Sequence, residues 1–202
     1  MAEFKASARA IEVALALGRN DANIRGVTFV HEFNSAQTVY FDACDPQVVK
    51  FVLGYHERLR RYSAYLEQHG DMSLFALTKT YLEFTFHSGQ TDKAQVDIGR
   101  VLATGKGECL EKAIGAQVLF SSVGIDSNVT IGIYAHMIQK GSGHAWTEIS
   151  VGRRRIFDPA EDLGRCVIDA KRAYDFNSMV AQRGLGYIPA QQGLKFAQAL
   201  RK

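Results

Sequence analysis

The chain has 202 residues, of which 47% are hydrophobic and 22% charged, and its formal net charge is +3. The high apolar fraction and the small net charge predict one globular domain and exclude a disordered chain. No apolar run approaches the roughly 18 residues of a membrane-spanning helix, so we expect no membrane span. No signal peptide is evident, which predicts a cytoplasmic protein and leaves open an injected or otherwise secreted effector.

The positive charge is concentrated in the last quarter of the chain. Residues 151–202 carry ten basic and five acidic side chains, beginning with the run Arg153, Arg154 and Arg155. No aromatic platform of the kind that stacks on bases accompanies this run. We therefore expect a solvated surface and no nucleic-acid binding, although the arginines can favour an acidic substrate surface.

The first half of the chain is predicted to be mostly helical. Apolar spacing and turn residues predict a helix over 3–18, strands over 26–33 and 38–44 around the turn 34–37, and helices over 72–87 and 92–103. Asp45 and Pro46 are typical of a helix N-cap and a first helical position. They predict one helix that continues to Gly70. The last of these helices is predicted to begin at Thr91 and Asp92.

The second half of the chain changes character. Its residues predict a loop over 105–108, a helix over 109–122, strands over 127–135, 143–151 and 154–158, and helices over 168–183 and 190–201. This order predicts an α+β fold with an antiparallel sheet against helices. We expect a single domain over 1–202. Within it, 1–90 is a mostly helical elaboration with a hairpin, 91–160 a catalytic core and 161–202 a helical extension.

The local sequence distinguishes Cys109 from the other two cysteines of the chain. Cys109 follows a glycine-rich turn, Gly105–Lys106–Gly107–Glu108, and opens a predicted helix. The N–H groups and the positive dipole end of a helix N-terminus favour a thiolate and can bind an oxyanion. Cys44 and Cys166 have no such setting, and the odd number of widely spaced cysteines argues against a disulfide framework or a zinc ribbon.

A base and an orienting carboxylate are predicted near that thiol. His144 begins a predicted strand, and the hairpin that follows, centred on residue 151, puts Asp158 directly opposite it on the next strand. Paired side chains in such a ladder are only about 5 Å apart. Asp158 can then hold one ring nitrogen of His144 while the other accepts the thiol proton, which completes a nucleophile, base and orienter set.

These motifs resemble the transglutaminase-like superfamily, whose members share a papain-like core. The resembling residues run from Gly107–Glu108–Cys109 through Gly124–Ile125 and His144–Ala145–Trp146–Thr147–Glu148 to Phe157–Asp158–Pro159. The resemblance implies a compact, bacterial-type cysteine enzyme with a Cys109, His144 and Asp158 triad and its nucleophile helix packed on the sheet. It also implies acyl transfer on amide bonds through a thioester intermediate.

Glu108 and Leu110 depart from the residues that flank the nucleophile of the animal cross-linking members. No calcium loop is present either, so we expect no cofactor and no metal. The sequence leaves three functions open. The leading one is a hydrolase of peptide or protein substrates, either a protein-glutamine deamidase or a peptidase. The alternatives are a protein-glutamine transamidase and a non-catalytic binding module on the same fold.

Further site residues are predicted less directly. The second oxyanion donor of such enzymes usually precedes the nucleophile, which makes Gln95 and Gln90 candidates. Trp146 shares a strand face with His144 and is predicted to wall the substrate channel, whereas Glu148, farther along that face, is predicted to be structural. The sequence does not indicate the identity of the substrate or the oligomeric state.

Overall fold

The computed structural model describes residues 27–31, 35–42, 45–89, 95–134, 143–174 and 187–189, and these confirm the predicted α+β class. The strands are β1 (Val27–His31), β2 (Ser35–Tyr40), β3 (Gln95–Asp97), β4 (Asp126–Tyr134), β5 (His144–Val151), β6 (Arg153–Phe157), β7 (Val167–Asp169) and β8 (Tyr187–Pro189). The helices are α1 (Pro46–Arg61), α2 (Ser63–His69), α3 (Asp71–Thr85), α4 (Ile98–Thr104), α5 (Cys109–Ser122) and α6 (Ala170–Ala173). The predicted helices over 3–18 and 190–201 lie outside the described residues.

The strands described form two sheets. The larger has the order β7-β6-β5-β4-β8, and all of its neighbouring strands are antiparallel, as expected. The smaller has the order β1-β2-β3, with an antiparallel hairpin followed by a parallel pair that the sequence did not indicate. The hairpin is as predicted, but its second strand begins at Ser35 because the pairing of Ser35 with His31 extends the ladder into the expected turn.

Helix α5 lies at the centre of the core and has the predicted bounds. Its buried residues face both the larger sheet and the helices α1 and α3. The Thr147 hydroxyl of β5, which is fully buried, donates a hydrogen bond of 2.8 Å to the carbonyl of Ala113 in α5. The helix therefore has a fixed position on the sheet, and with it the residue at its N-terminus.

The helix predicted from Asp45 to Gly70 is in fact two helices. Its start is as predicted: Asp45 is the N-cap, its carboxylate accepts a hydrogen bond of 2.7 Å from the Gln47 N–H, and Pro46 is the first helical residue. The helix ends at Arg61, and α2, which follows after Tyr62, buries none of its residues. The break contains neither glycine nor proline. Neither these residue types nor the apolar spacing therefore indicated that the helix ends at Arg61.

Two other helix predictions were wrong at their beginnings, since sheet pairing overrides the helical pattern there. Within the predicted helix 92–103, residues 95–97 form β3 beside β2, and the helix begins only at Ile98 with Asp97 as its N-cap. At the start of the predicted helix 168–183, Ile168 and Asp169 belong to β7, which pairs with β6 and precedes the short helix α6. A further sheet strand, β8, lies over 187–189.

Among the residues that the structure describes, none of the helices is long and apolar enough to cross a lipid bilayer.

Candidate active site

Cys109 is the first residue of α5, at the end of a loop that is held from both sides. The carbonyl of Gly105 accepts a hydrogen bond of 2.6 Å from the His87 N–H, and the Gly107 N–H donates one of 3.0 Å to the His87 carbonyl. The Glu108 N–H donates to the Glu111 carboxylate at 2.9 Å, within the first turn of the helix. The backbone that leads to the half-buried Cys109 is therefore fixed before the helix begins.

Gly107 is required by space. A Cβ atom at this position would lie 2.9 Å from the Cδ1 atom of Phe86 and 3.0 Å from the Cβ atom of Glu111, closer than side-chain atoms normally approach. Phe86 is almost fully buried and cannot easily move. The loop thus passes so close to the core that only glycine fits two residues before Cys109.

His144 and Asp158 form a buried pair. The His144 Nε2 atom lies 2.6 Å from the Oδ2 atom of Asp158, whose side chain is fully buried. The other carboxylate oxygen, Oδ1, accepts a hydrogen bond of 3.0 Å from the Ala160 N–H, and the Asp158 N–H donates to the carbonyl of Cys166 at 2.7 Å. Since both carboxylate oxygens have partners, the orientation of Asp158 is defined.

The predicted register of the two strands was wrong, because the hairpin turn lies one residue farther along the chain than expected. Residues 151 and 153 pair across the turn, so the turn is centred on Gly152 and Thr147 is opposite Phe157. Asp158 follows directly after β6 and lies diagonally from His144 along the ladder, where side chains still come within reach of one another. His144 itself is opposite Gly132 of β4. The predicted contact therefore exists, although the two residues are not direct partners.

The Cys109 thiol lies near the His144 ring and contributes to the pKa of the imidazole. Burial lowers the pKa of His144, but the interactions with Asp158 and Cys109 outweigh it and raise the pKa to about 10. Nε2 faces Asp158, so proton exchange with any other group goes through Nδ1. The buried carboxylate and the thiol thus both favour the protonated imidazole.

A comparison with protein families gives one match. The model of the transglutaminase-like superfamily matches residues 57–159, just over half of the chain. The chain belongs to the transglutaminase-like superfamily. The match includes Cys109, His144 and Asp158, and it begins well before the segment 105–160 on which the sequence resemblance rests. A comparison with curated proteins finds no match, and neither does one with solved structures.

Membership of the transglutaminase-like superfamily supports acyl transfer of the cysteine-enzyme type. Within the part of the chain that the structure describes, no group of three or more His, Cys, Asp or Glu residues has the geometry of a metal site.

In this transglutaminase-like chain, Trp146 is fully buried beside His144. The two ring centroids are 6.2 Å apart. The indole N–H donates a hydrogen bond of 3.0 Å to the Tyr174 hydroxyl, which in turn donates to Glu148, and Glu148 also pairs with Arg154. The sequence did not indicate Tyr174, which lies beyond the matched region. Trp146 also packs against Ile156, Ala170 and Ala173 in a small apolar cluster. That it forms a wall of the substrate channel stays a prediction.

Two glutamines and two cysteines remain of the residues that were named from the sequence. Gln95 begins β3 and is paired with Thr38, but its side chain lies outside the described part, as do Gln90 and Cys44 altogether. Cys166 is buried, and burial raises the pKa of its thiol to about 11. The oxyanion role of Gln95 and Gln90 stays a prediction.

Each arginine of the run at 153–155 has an acidic partner. Arg153 pairs with Asp169 at 3.1 Å, Arg154 with Glu148, and Arg155 with Asp71 at 3.8 Å. The positive charge that the sequence concentrates in this hairpin is therefore balanced locally by carboxylates. These pairs weaken the reason for expecting an acidic substrate surface here.

Proposed function

We propose that the chain is a cysteine-dependent amide hydrolase of peptide or protein substrates, either a protein-glutamine deamidase or a peptidase. The observation that carries the proposal is the buried His144–Asp158 pair, together with the Cys109 thiol at the start of a helix, which interacts with the His144 ring. This arrangement supplies a nucleophile, a group that moves protons and a group that orients it.

In the first half of the proposed reaction, the Cys109 thiolate attacks the carbonyl carbon of a substrate amide. A C–S bond forms, and the electron pair of the carbonyl moves to oxygen. The developing oxyanion lies at the N-terminus of α5, where backbone N–H groups without helical partners stabilise it. The tetrahedral intermediate then collapses, the C–N bond breaks, and the His144 imidazolium gives its Nδ1 proton to the departing amine or ammonia.

In the second half, water resolves the thioester. The neutral imidazole accepts a proton from water, the hydroxide attacks the thioester carbonyl, and the C–S bond breaks to release the carboxylic acid and the Cys109 thiolate. Asp158 keeps Nε2 protonated throughout and stabilises the imidazolium. A glutamine side chain yields glutamate and ammonia, whereas a peptide bond yields two chain ends. An amine in place of water would give transamidation.

The proposal requires a reactive thiol at Cys109, which selective alkylation tests. Iodoacetamide forms a C–S bond with a thiolate and releases iodide, so its rate reports the thiolate. In the native protein at pH 7, we expect Cys109 to be labelled at least about 100-fold faster than Cys166. Burial opposes the ionisation of the Cys166 thiol. Comparable rates for the two thiols, measured by peptide mass spectrometry, would refute a catalytic role of Cys109. The variant His144→Ala should remove most of the difference.

A further inference from the structure

Lys79 of α3 is a buried lysine that the proposed reaction does not use. Its side chain is only 3% exposed. A buried ammonium group is unfavourable unless it is paired and hydrogen-bonded. Its Nζ atom donates to the Oε1 atom of Glu83 at 2.6 Å and to the backbone carbonyl of Pro159 at 3.3 Å. The second contact connects α3 with a residue 80 positions away, directly after Asp158.

We propose that Lys79 is a positioning residue that holds the Asp158 carboxylate against His144. Several hydrogen bonds hold the turn that begins at Asp158. The Asp158 N–H donates to the Cys166 carbonyl, its carbonyl accepts from the Glu161 N–H and its Oδ1 atom from the Ala160 N–H, all within residues 158–166. The Pro159 carbonyl accepts from Lys79, and this bond ties the turn to the helix layer that also supports α5 and Cys109.

The two partners of Lys79 differ in their surroundings. The Glu83 side chain is 53% exposed, and solvent screens its charge. The contact with the Pro159 carbonyl is buried and lies directly after the fully buried Asp158. It is therefore the contact with Pro159 through which Lys79 acts on Asp158.

The inference rests on the proposed function, and a double-mutant cycle tests it separately. The rate constant of Cys109 alkylation by iodoacetamide at pH 7 is measured in the native chain, in Lys79→Met, in Asp158→Asn and in the double variant. Methionine keeps the length and removes the charge and the donor. If Lys79 acts through Asp158, Lys79→Met slows alkylation about tenfold in the native background and has little effect when Asp158 is already asparagine.

Two further variants separate positioning from a purely structural role. Glu83→Gln removes the negative charge of the exposed partner and leaves the contact with Pro159, so alkylation should stay close to the native rate. Lys79→Arg keeps the charge and the donors and should retain most of that rate. Thermal unfolding is recorded for every variant, and Lys79→Leu, which also lacks the charge and the donor, replaces Lys79→Met if the latter does not fold. Thus a general loss of stability is not mistaken for a positioning effect.

The outcomes are distinct. If native Cys109 is no more reactive than Cys166, the proposed function fails. If native Cys109 is reactive and a folded variant without the lysine charge is alkylated at the native rate, only the role of Lys79 is overturned. The role of Lys79 is also overturned if Lys79→Met slows alkylation by the same factor in the Asp158→Asn background, since Lys79 would then act independently of the carboxylate.

Discussion

Replacing Asp158 by asparagine is expected to reverse the tautomer of His144. The Ala160 N–H lies 3.0 Å from one carboxylate oxygen and requires an acceptor there, so the asparagine oxygen occupies that position. The amide NH₂ then points to the Nε2 atom of His144, which must offer a lone pair. The proton moves to Nδ1 and faces Cys109, so the imidazole no longer accepts the thiol proton.

The size of the effect follows from the bond that is lost. A hydrogen bond between charged groups contributes about 1.5–3 kcal/mol. At about 1.4 kcal/mol per factor of ten, Asp158→Asn should slow Cys109 alkylation at pH 7 by about 10- to 100-fold. It should also lower the pKa of His144, because the acceptor and the negative charge that favour the imidazolium are both removed.

Two measurements check this reasoning. Quenched alkylation followed by peptide mass spectrometry gives the rate at Cys109, and long-range ¹H–¹⁵N NMR of the imidazole gives its tautomer and its pKa. Asp158→Ala, which offers the ring no partner, is the comparison variant. Native alkylation rates in folded Asp158→Asn, or an unchanged pKa of His144, would show that the carboxylate does not control the imidazole.

Three further predictions concern the supports of the site. Gly107→Ala should slow Cys109 alkylation by on the order of tenfold, because the new Cβ atom displaces the loop. Gly164→Ala, where a Cβ atom meets nothing within 4 Å, is the control, and equal rates in the two variants would contradict the steric account. Thr147→Val should lower the free energy of unfolding in urea by about 1 kcal/mol through the loss of one buried hydrogen bond, and no change would argue against that bond. Burial lowers the pKa of His56 below its ordinary 6.5, so the unfolded chain binds more protons and the free energy of unfolding falls as the pH drops below about 6.5. His56→Gln should weaken this dependence of the free energy of unfolding on pH, measured by urea denaturation. An unaltered dependence would show that other groups cause it.

The helix and the strands that carry the site were predictable from the sequence because their signals are local. The glycine-rich turn before Cys109 marked the start of α5, and the alternation after residue 143 marked β5. The register across Gly152 needed the conformation of the turn itself, so the contact of His144 with Asp158 was predicted at the wrong ladder position.

The parts that the sequence did not indicate depend on contacts between distant segments. Strand β3 exists because β2 offers a neighbouring edge, and β7 because β6 does, although both sequences fit a helix. Lys79 reaches Pro159 across 80 positions, and a lysine within a helical pattern is normally expected on the surface. No spacing within α3 distinguishes this lysine from an exposed one.

Hydrolysis of an amide through a thioester on Cys109 is tested most directly in ¹⁸O-labelled water. Candidate protein substrates rich in glutamine are incubated with the native chain and with Cys109→Ala, and the products are analysed by mass spectrometry. We predict ¹⁸O in newly formed glutamate side chains or in new C-terminal carboxylates, with the native chain only. Equal product with Cys109→Ala, or attachment of an added amine without any ¹⁸O, would contradict a cysteine-dependent hydrolase.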